Sequence, residues 1–204
     1  MTKTEDYYNR FKDESSKVET KFGGFRGLLL KEMDLNYFKT DGTLLNFGSG
    51  VSSFNHLCNS EIRVDTDKTV FPDFLELQGV TDRTIDTVIA NQVFEHIEFE
   101  SLKGVISDIS NKLKTNGMIL ATLPNICNWI KYVGDVDHKT PLSFYHLGAL
   151  FELNNIEVVD AFRYTKRSHE ITQANDTEKF LFEFLKKHFE MDPAHFVAVI
   201  GKRK

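Results

Sequence analysis

Only two cysteines, Cys58 and Cys127, occur in 204 residues, and neither sits in a Cys-x-x-Cys pair or beside a histidine cluster. That spacing suggests neither a disulfide framework nor a zinc site, and two reduced packing thiols are expected, with no metal. Proline is scarce, with four residues and no proline-rich linker. No apolar run approaches the roughly 18 to 20 residues that a membrane span needs, the strongest being Met118 to Pro124. The opening Met-Thr-Lys-Thr-Glu-Asp is polar and acidic, unlike a signal peptide. A soluble, cytoplasmic protein away from membranes is therefore expected. Basic charge is also in deficit: 25 Lys and Arg face 30 Asp and Glu, for a net charge of −5, and the only basic cluster is Lys202-Arg203-Lys204. A nucleic-acid groove needs a concentrated basic stripe, so DNA is not an expected partner, although a small structured RNA stays open.

What is present is an apolar content of 41% with 27% charged residues, enough to build one sizeable core. No internal repeat divides the chain, and residues 1–204 read as a single domain. The stretch from Glu5 to Glu19 is highly charged and at best a surface helix carrying Tyr7, Tyr8 and Phe11. After Gly23-Gly24, the residues Phe25, Leu28, Leu29, Met33 and Tyr37 recur at helical spacing. Residues 1–40 are thus expected to form an N-terminal helical lid or cap.

From Thr43 onward short apolar runs alternate with helical stretches, the pattern of a parallel sheet with crossover helices. Strands are predicted at Leu44 to Phe47, Glu61 to Val64, Phe74 to Leu77, Thr87 to Ala90, Met118 to Leu123, Ile156 to Phe162 and Phe196 to Ile200. A helix with Leu102, Val105, Ile106, Ile109 and Leu113 on one face should end at Asn116-Gly117, and Ser143 should cap another carrying Phe144, Leu147, Leu150 and Phe151. A capping box at Asn175 to Glu178 should open a further helix with Phe180, Leu181, Phe184 and Leu185. The expected fold is α/β, a doubly wound seven-stranded sheet.

In such a sheet ligands bind outside the carboxyl ends of the strands, where the strand order reverses. Gly48-Ser49-Gly50 follows the first core strand, and its glycines allow the backbone to turn sharply and approach a ligand. Asp65 follows the second, where a carboxylate can accept hydrogen bonds from both hydroxyls of a ribose. Either feature alone is an ordinary turn. Together, on successive strand ends, they point to a nucleoside.

The series Leu44-Leu45-Asn46-Phe47-Gly48-Ser49-Gly50, Ile62-Arg63-Val64-Asp65, Ile85 to Ile97 with its Glu95-His96, Leu113 to Leu120 and Thr122-Leu123-Pro124-Asn125 resembles the motifs of class I S-adenosylmethionine-dependent methyltransferases in their order. Phe196 to Lys202 is similar to that family's last strand. The resemblance is nearest to members that modify small molecules and sugars. It implies a Rossmann-like sheet, mostly parallel, with the last strand antiparallel over residues 41–204, and S-adenosylmethionine as the cofactor. Carried over by position, it implies that Asn46, Gly48, Ser49 and Gly50 form the donor loop, that Asp65 holds the ribose and that Thr66 borders the adenine. Leu77 and Gln78 should lie near the adenine's amino edge, and Asn91 and Gln92 at the transfer cleft. Glu95 and His96 should hold the next helix to a neighbouring loop. The chain departs from the family at Asn46, where an acid is common, at Ser52, where a third glycine is common, and in the short helix expected at Ser53 to Asn59.

Methyl transfer from a sulfonium needs in-line positioning more than a triad, but a hydroxyl acceptor also needs a base. His138, in the polar loop Gly134 to Pro141, is the candidate catalytic base, with Asp135 or Asp137 to orient it. The expected function is a methyltransferase acting on a small polar acceptor such as a sugar hydroxyl. The alternative is a non-catalytic methyltransferase-like binding subunit with a degenerate donor site.

Overall fold

The computed structural model describes residues 20–22, 41–126, 128, 132, 134–165, 177, 180, 184 and 196–204. Both predicted N-terminal helices, and the one expected at Phe180 to Leu185, therefore lie largely outside the described residues. Seven strands form one sheet: β1 (Thr20–Phe22), β2 (Thr43–Phe47), β3 (Ser60–Val64), β4 (Ile85–Asn91), β5 (Leu113–Pro124), β6 (Ile156–Thr165) and β7 (Phe196–Arg203). Their spatial order is β1-β6-β7-β5-β4-β2-β3. All neighbours pair parallel except β7, which runs antiparallel to both β5 and β6.

Alternation along each strand divides the core between two faces. Leu45, Val88, Ala90, Ile119, Ala121, Val197 and Val199 enter one cluster, shared with Ile106 and Ile109 of helix α1 (Phe99–Lys112) and Leu147 and Phe151 of helix α2 (Phe144–Leu153). Leu44, Ile89, Leu120, Ala198 and Ile200 enter the other, with Phe54, Leu57 and Phe162. A bulge between Val158 and Asp160 shifts the alternation of β6, which is how Val158 and Ala161 come to share a face.

The seven strands are not the seven read from the sequence. Phe74 makes a single bridge with Val64, and Leu77–Gly79 is a 3-10 turn, so no strand forms at Phe74 to Leu77. The seventh place is taken by Thr20–Phe22, at the opposite edge beside β6 and within the span expected to be a helical cap. Three residues are too few to show a period.

Helix α1 ends at Lys112, and β5 begins directly at Leu113. The left-handed Asn116, at φ 64°, lies inside a register shift of β5 instead of at the helix end. The short helix expected at Ser53 to Asn59 contracts to one 3-10 turn, Asn55–Leu57. Its reason is local: the Glu61 carboxylate accepts hydrogen bonds from the Phe54 amide at 2.9 Å and the Ser53 hydroxyl at 2.6 Å, tying down the chain where a helix would start.

Candidate functional site

Strands β3 and β4 flank β2 on its two sides, so the carboxyl ends of three parallel strands converge where the strand order reverses. There a cavity of about 590 Å³ opens, lined on one wall by Gly48 and Gly50 and on the other by Asp65, Thr66, Leu77 and Gln78. Gln92 and His96, at and beyond the tip of β4, close its third side.

The loop after β2 is shaped by two left-handed glycines, Gly48 at φ 65° and Gly50 at φ 48°. A Cβ at Gly48 would collide with Val93, so glycine there permits close packing. A Cβ at Gly50 would meet nothing within 4 Å, because this residue faces open space. The Gly50 amide donates to Asp65 Oδ2 at 2.7 Å, joining two strand tips, while Asp65 Oδ1 accepts from the Asp67 amide at 2.9 Å. Each oxygen keeps a further lone pair for a ligand hydroxyl.

Arg63 strengthens the same corner, since its guanidinium donates to the carbonyls of Gly50 at 2.5 Å and Val70 at 3.1 Å. Sequence reasoning missed this clamp, which works across chain separations of 13 and 7 residues.

Not every residue expected at the donor site lines the cavity. Asn46 is 2% exposed and lies behind the loop, where its amide donates to Ser52 O and Glu61 Oε1, each at 3.0 Å. Ser49 is buried within the turn. Asn91 accepts from the Thr122 hydroxyl at 2.8 Å, which holds it against the neighbouring strand. Gln92 does line the cavity, in a left-handed conformation at φ 58°. Its amide donates to Thr122 O at 3.2 Å and its side chain to Thr122 Oγ1 at 3.1 Å. A non-glycine residue held in that region beside a cavity marks a constrained position.

Beyond β4 a second group of side chains gathers. Glu95 and His96 lie in the 3-10 turn Phe94–His96, before α1 begins. The Glu95 carbonyl accepts from the Lys139 and Thr140 amides at 2.8 and 3.0 Å, so this turn does hold the loop that carries His138. The Glu95 carboxyl is another matter. It is 1% exposed, and neither oxygen has a hydrogen-bond partner among the described residues. Burial, with Asp135 as a smaller contributor, pushes its pKa up to about 8 against the opposing pull of its own backbone amide.

His138 does not line the cavity and packs behind His96, with ring centroids 5.1 Å apart. Its orientation comes from the Tyr132 carbonyl, 2.9 Å from Nδ1, instead of from Asp135 or Asp137. A carbonyl can only accept, so Nδ1 donates, and in the neutral tautomer Nε2 holds the lone pair. Asp135 Oδ2 stands 3.7 Å from that Nε2. The Asp137 side chain plays no part in holding His138; its backbone carbonyl faces His96 Nδ1 at 3.1 Å. Burial and the nearby Glu95 raise the pKa of the Tyr132 hydroxyl.

No protein-family model matches the chain, and no curated protein matches it. Solved structures do. A SAM-dependent methyltransferase from Archaeoglobus fulgidus superposes with a TM-score of 0.67 at 20% identity, over 96% of this chain and 100% of that one. Haemonchus contortus phosphoethanolamine N-methyltransferase 2, in complex with S-adenosyl-L-methionine, has a TM-score of 0.61 at 14% identity, over 88% of this chain and 53% of that one. Geranyl diphosphate C-methyltransferase from Streptomyces coelicolor, in complex with Mg2+, geranyl diphosphate and S-adenosyl-L-homocysteine, gives 0.61 at 12% identity, over 87% and 81% of the two chains. At these identities the likeness is one of architecture, and the chain has the fold of S-adenosylmethionine-dependent methyltransferases.

Proposed function

We propose that this chain is an S-adenosylmethionine-dependent methyltransferase acting on a small polar acceptor, of which a sugar hydroxyl is the class that the sequence resemblance favours. The observation that carries the reading is the contact of the Gly50 amide with the Asp65 carboxylate, which joins two parallel strand tips in the wall of one cavity. An adenosine suits this corner: the bare edge of Gly50 leaves room for a ribose, and Asp65 offers the lone pairs its two hydroxyls need. Thr66, Leu77 and Gln78 would border the base, and Gln92 would face the transfer cleft. Bound there, the donor would supply an activated methyl group on sulfur.

The chain's own contribution is to orient and to exclude water. Arg63 holds the Gly50 turn closed against the Val70 loop, and Thr122 holds Gln92 at the mouth of the cleft. His138 is the candidate base: it lies behind His96, outside the cavity lining, so in its neutral form it would take a proton from the hydroxyl of an acceptor bound on that side of the cavity. A cytoplasmic setting goes with this reading.

Asn46, which with Ser52 motivates the non-catalytic alternative, has a structural explanation. An aspartate there could not donate to Ser52 and would set a second carboxylate against Glu61, whereas the asparagine amide bonds to both. The departure thus answers to Glu61, and the donor wall stands without it. Calorimetric titration of the full chain with S-adenosylhomocysteine tests the reading. Saturable 1:1 binding that Asp65→Ala weakens is the expected result; no binding, or binding indifferent to Asp65, overturns it.

A further inference from the structure

We propose that Glu95, His96 and His138 form a binding site for a divalent metal ion of the zinc or manganese class at the rim of the donor cavity. This goes beyond the donor reading and does not rest on it.

One ligand atom from each residue falls within 4.8 Å of the other two, with His96 Nε2 4.0 Å from Glu95 Oε1. Ligands about 2.1 Å from a common ion stand roughly 3 to 4 Å apart, so an ion would draw these groups together by at most about 1 to 2 Å. The two imidazoles are already turned in a way that suits a metal. His96 Nδ1 faces the Asp137 carbonyl at 3.1 Å, and His138 Nδ1 faces the Tyr132 carbonyl at 2.9 Å. Each Nδ1 is thereby placed to donate, so in the neutral imidazole the lone pair lies on Nε2 and the ring direction is fixed. Backbone carbonyls set metal-bound histidines in this way.

Glu95 supplies the independent observation. A carboxyl group that is 1% exposed with both oxygens lacking a hydrogen-bond partner among the described residues is costly, and buried polar groups seldom lack a partner. An ion bridging it to a nitrogen of each imidazole provides that partner. An ordinary Glu–His hydrogen bond does not, because 4.0 Å is too long. Asp135 Oδ2, 3.7 Å from His138 Nε2, can complete the set. Two imidazoles with one or two carboxylates favour first-row divalent ions over calcium or magnesium.

The placement matters because His96 also lines the donor cavity. Positions left open by three or four protein ligands would be available to water or to an acceptor oxygen. With an ion bound, the His138 lone pair is engaged in coordination, so metal binding and the base role of His138 are competing accounts of one residue.

Calorimetry with ZnCl2 on the full chain, after stripping with a chelator, decides between them, together with the visible spectrum of the same protein loaded with CoCl2. The expected results are one equivalent of zinc bound, cobalt bands that indicate nitrogen ligation, and at least a tenfold loss of zinc affinity in both Glu95→Gln and His138→Ala. The circular dichroism spectrum and unfolding midpoint of each variant serve as the folding control. Asp65→Ala should lose nucleoside affinity and keep its zinc. No stoichiometric uptake by the parent, absence of cobalt bands, or unchanged zinc affinity in folded variants would overturn the site. Because zinc and nucleoside are measured separately, failure of one reading leaves the other visible.

Discussion

At the residue scale the donor corner depends on hydrogen bonds to charge. Asp65 accepts from Gly50 and Asp67 and still has capacity for a ribose. Replacing it by alanine should weaken S-adenosylhomocysteine binding by about 1.5 to 3 kcal/mol, the scale for hydrogen bonds to a charged group, measured by calorimetry. Asn46→Asp tests the account of the asparagine. Two carboxylates would then share a buried site, and a drop of about 1 to 3 kcal/mol in unfolding free energy is expected from denaturant titration at neutral pH. A variant as stable as the parent would show that Glu61 does not select the amide. Gly50→Val carries a further expectation. Its branched side chain would project into the open cavity from a left-handed backbone, so nucleoside binding should be lost while the circular dichroism of the sheet persists.

At the element scale, α2 begins with a capping box in which the Ser143 amide donates to His146 Nδ1 at 3.3 Å. That bond needs an unprotonated Nδ1, and burial lowers the pKa of His146. The folded state therefore binds the proton less readily than the unfolded chain. This contribution to stability is complete above the ordinary histidine pKa and is lost as pH falls through the lowered value. Unfolding midpoints measured between pH 8 and pH 5 should decline on the acid side, and His146→Gln should flatten that part of the profile. Equal slopes in the two proteins would remove the role assigned to the cap. The elements also show what local pattern can and cannot reveal. Six of the predicted strands form because buried apolar runs bounded by turns have few other ways to satisfy their backbone. The strand expected at Phe74 to Leu77 shrinks to a bridge and a turn. Thr20–Phe22, short and without an apolar period, joins the sheet instead, through pairing with β6 across more than a hundred residues.

At the scale of the whole molecule, a ligand that binds the folded state alone stabilises it in proportion to the logarithm of its excess. S-adenosylhomocysteine at a hundred times its dissociation constant should add about 2.7 kcal/mol. For a domain of this size that corresponds to an increase of about 5 to 11 °C in melting temperature. A thermal scan with no shift at saturating nucleoside would contradict a donor site in this sheet. NAD and nucleotide sugars, screened in parallel, should leave the midpoint unchanged.

The amino-acid order was sufficient for features whose cause is local. The glycine turn after β2 needs residues that tolerate left-handed backbone, Asp65 sits where β3 ends, and Ser143 begins α2 by capping it. Each follows from a few neighbouring residues and is legible in the sequence. The folded chain alone decided the rest. Glu61 turns out to organise the loop after β2, Arg63 to clamp it, and Glu95 to be buried beside two histidines, one of them 43 positions away in the chain. No spacing rule announces such a meeting, because the sheet brings β4 and the loop after β5 to one edge by hydrogen bonds that ignore sequence distance. A carboxylate's burial is likewise a property of its surroundings, and in linear sequence Glu95 is only an acidic residue after a strand.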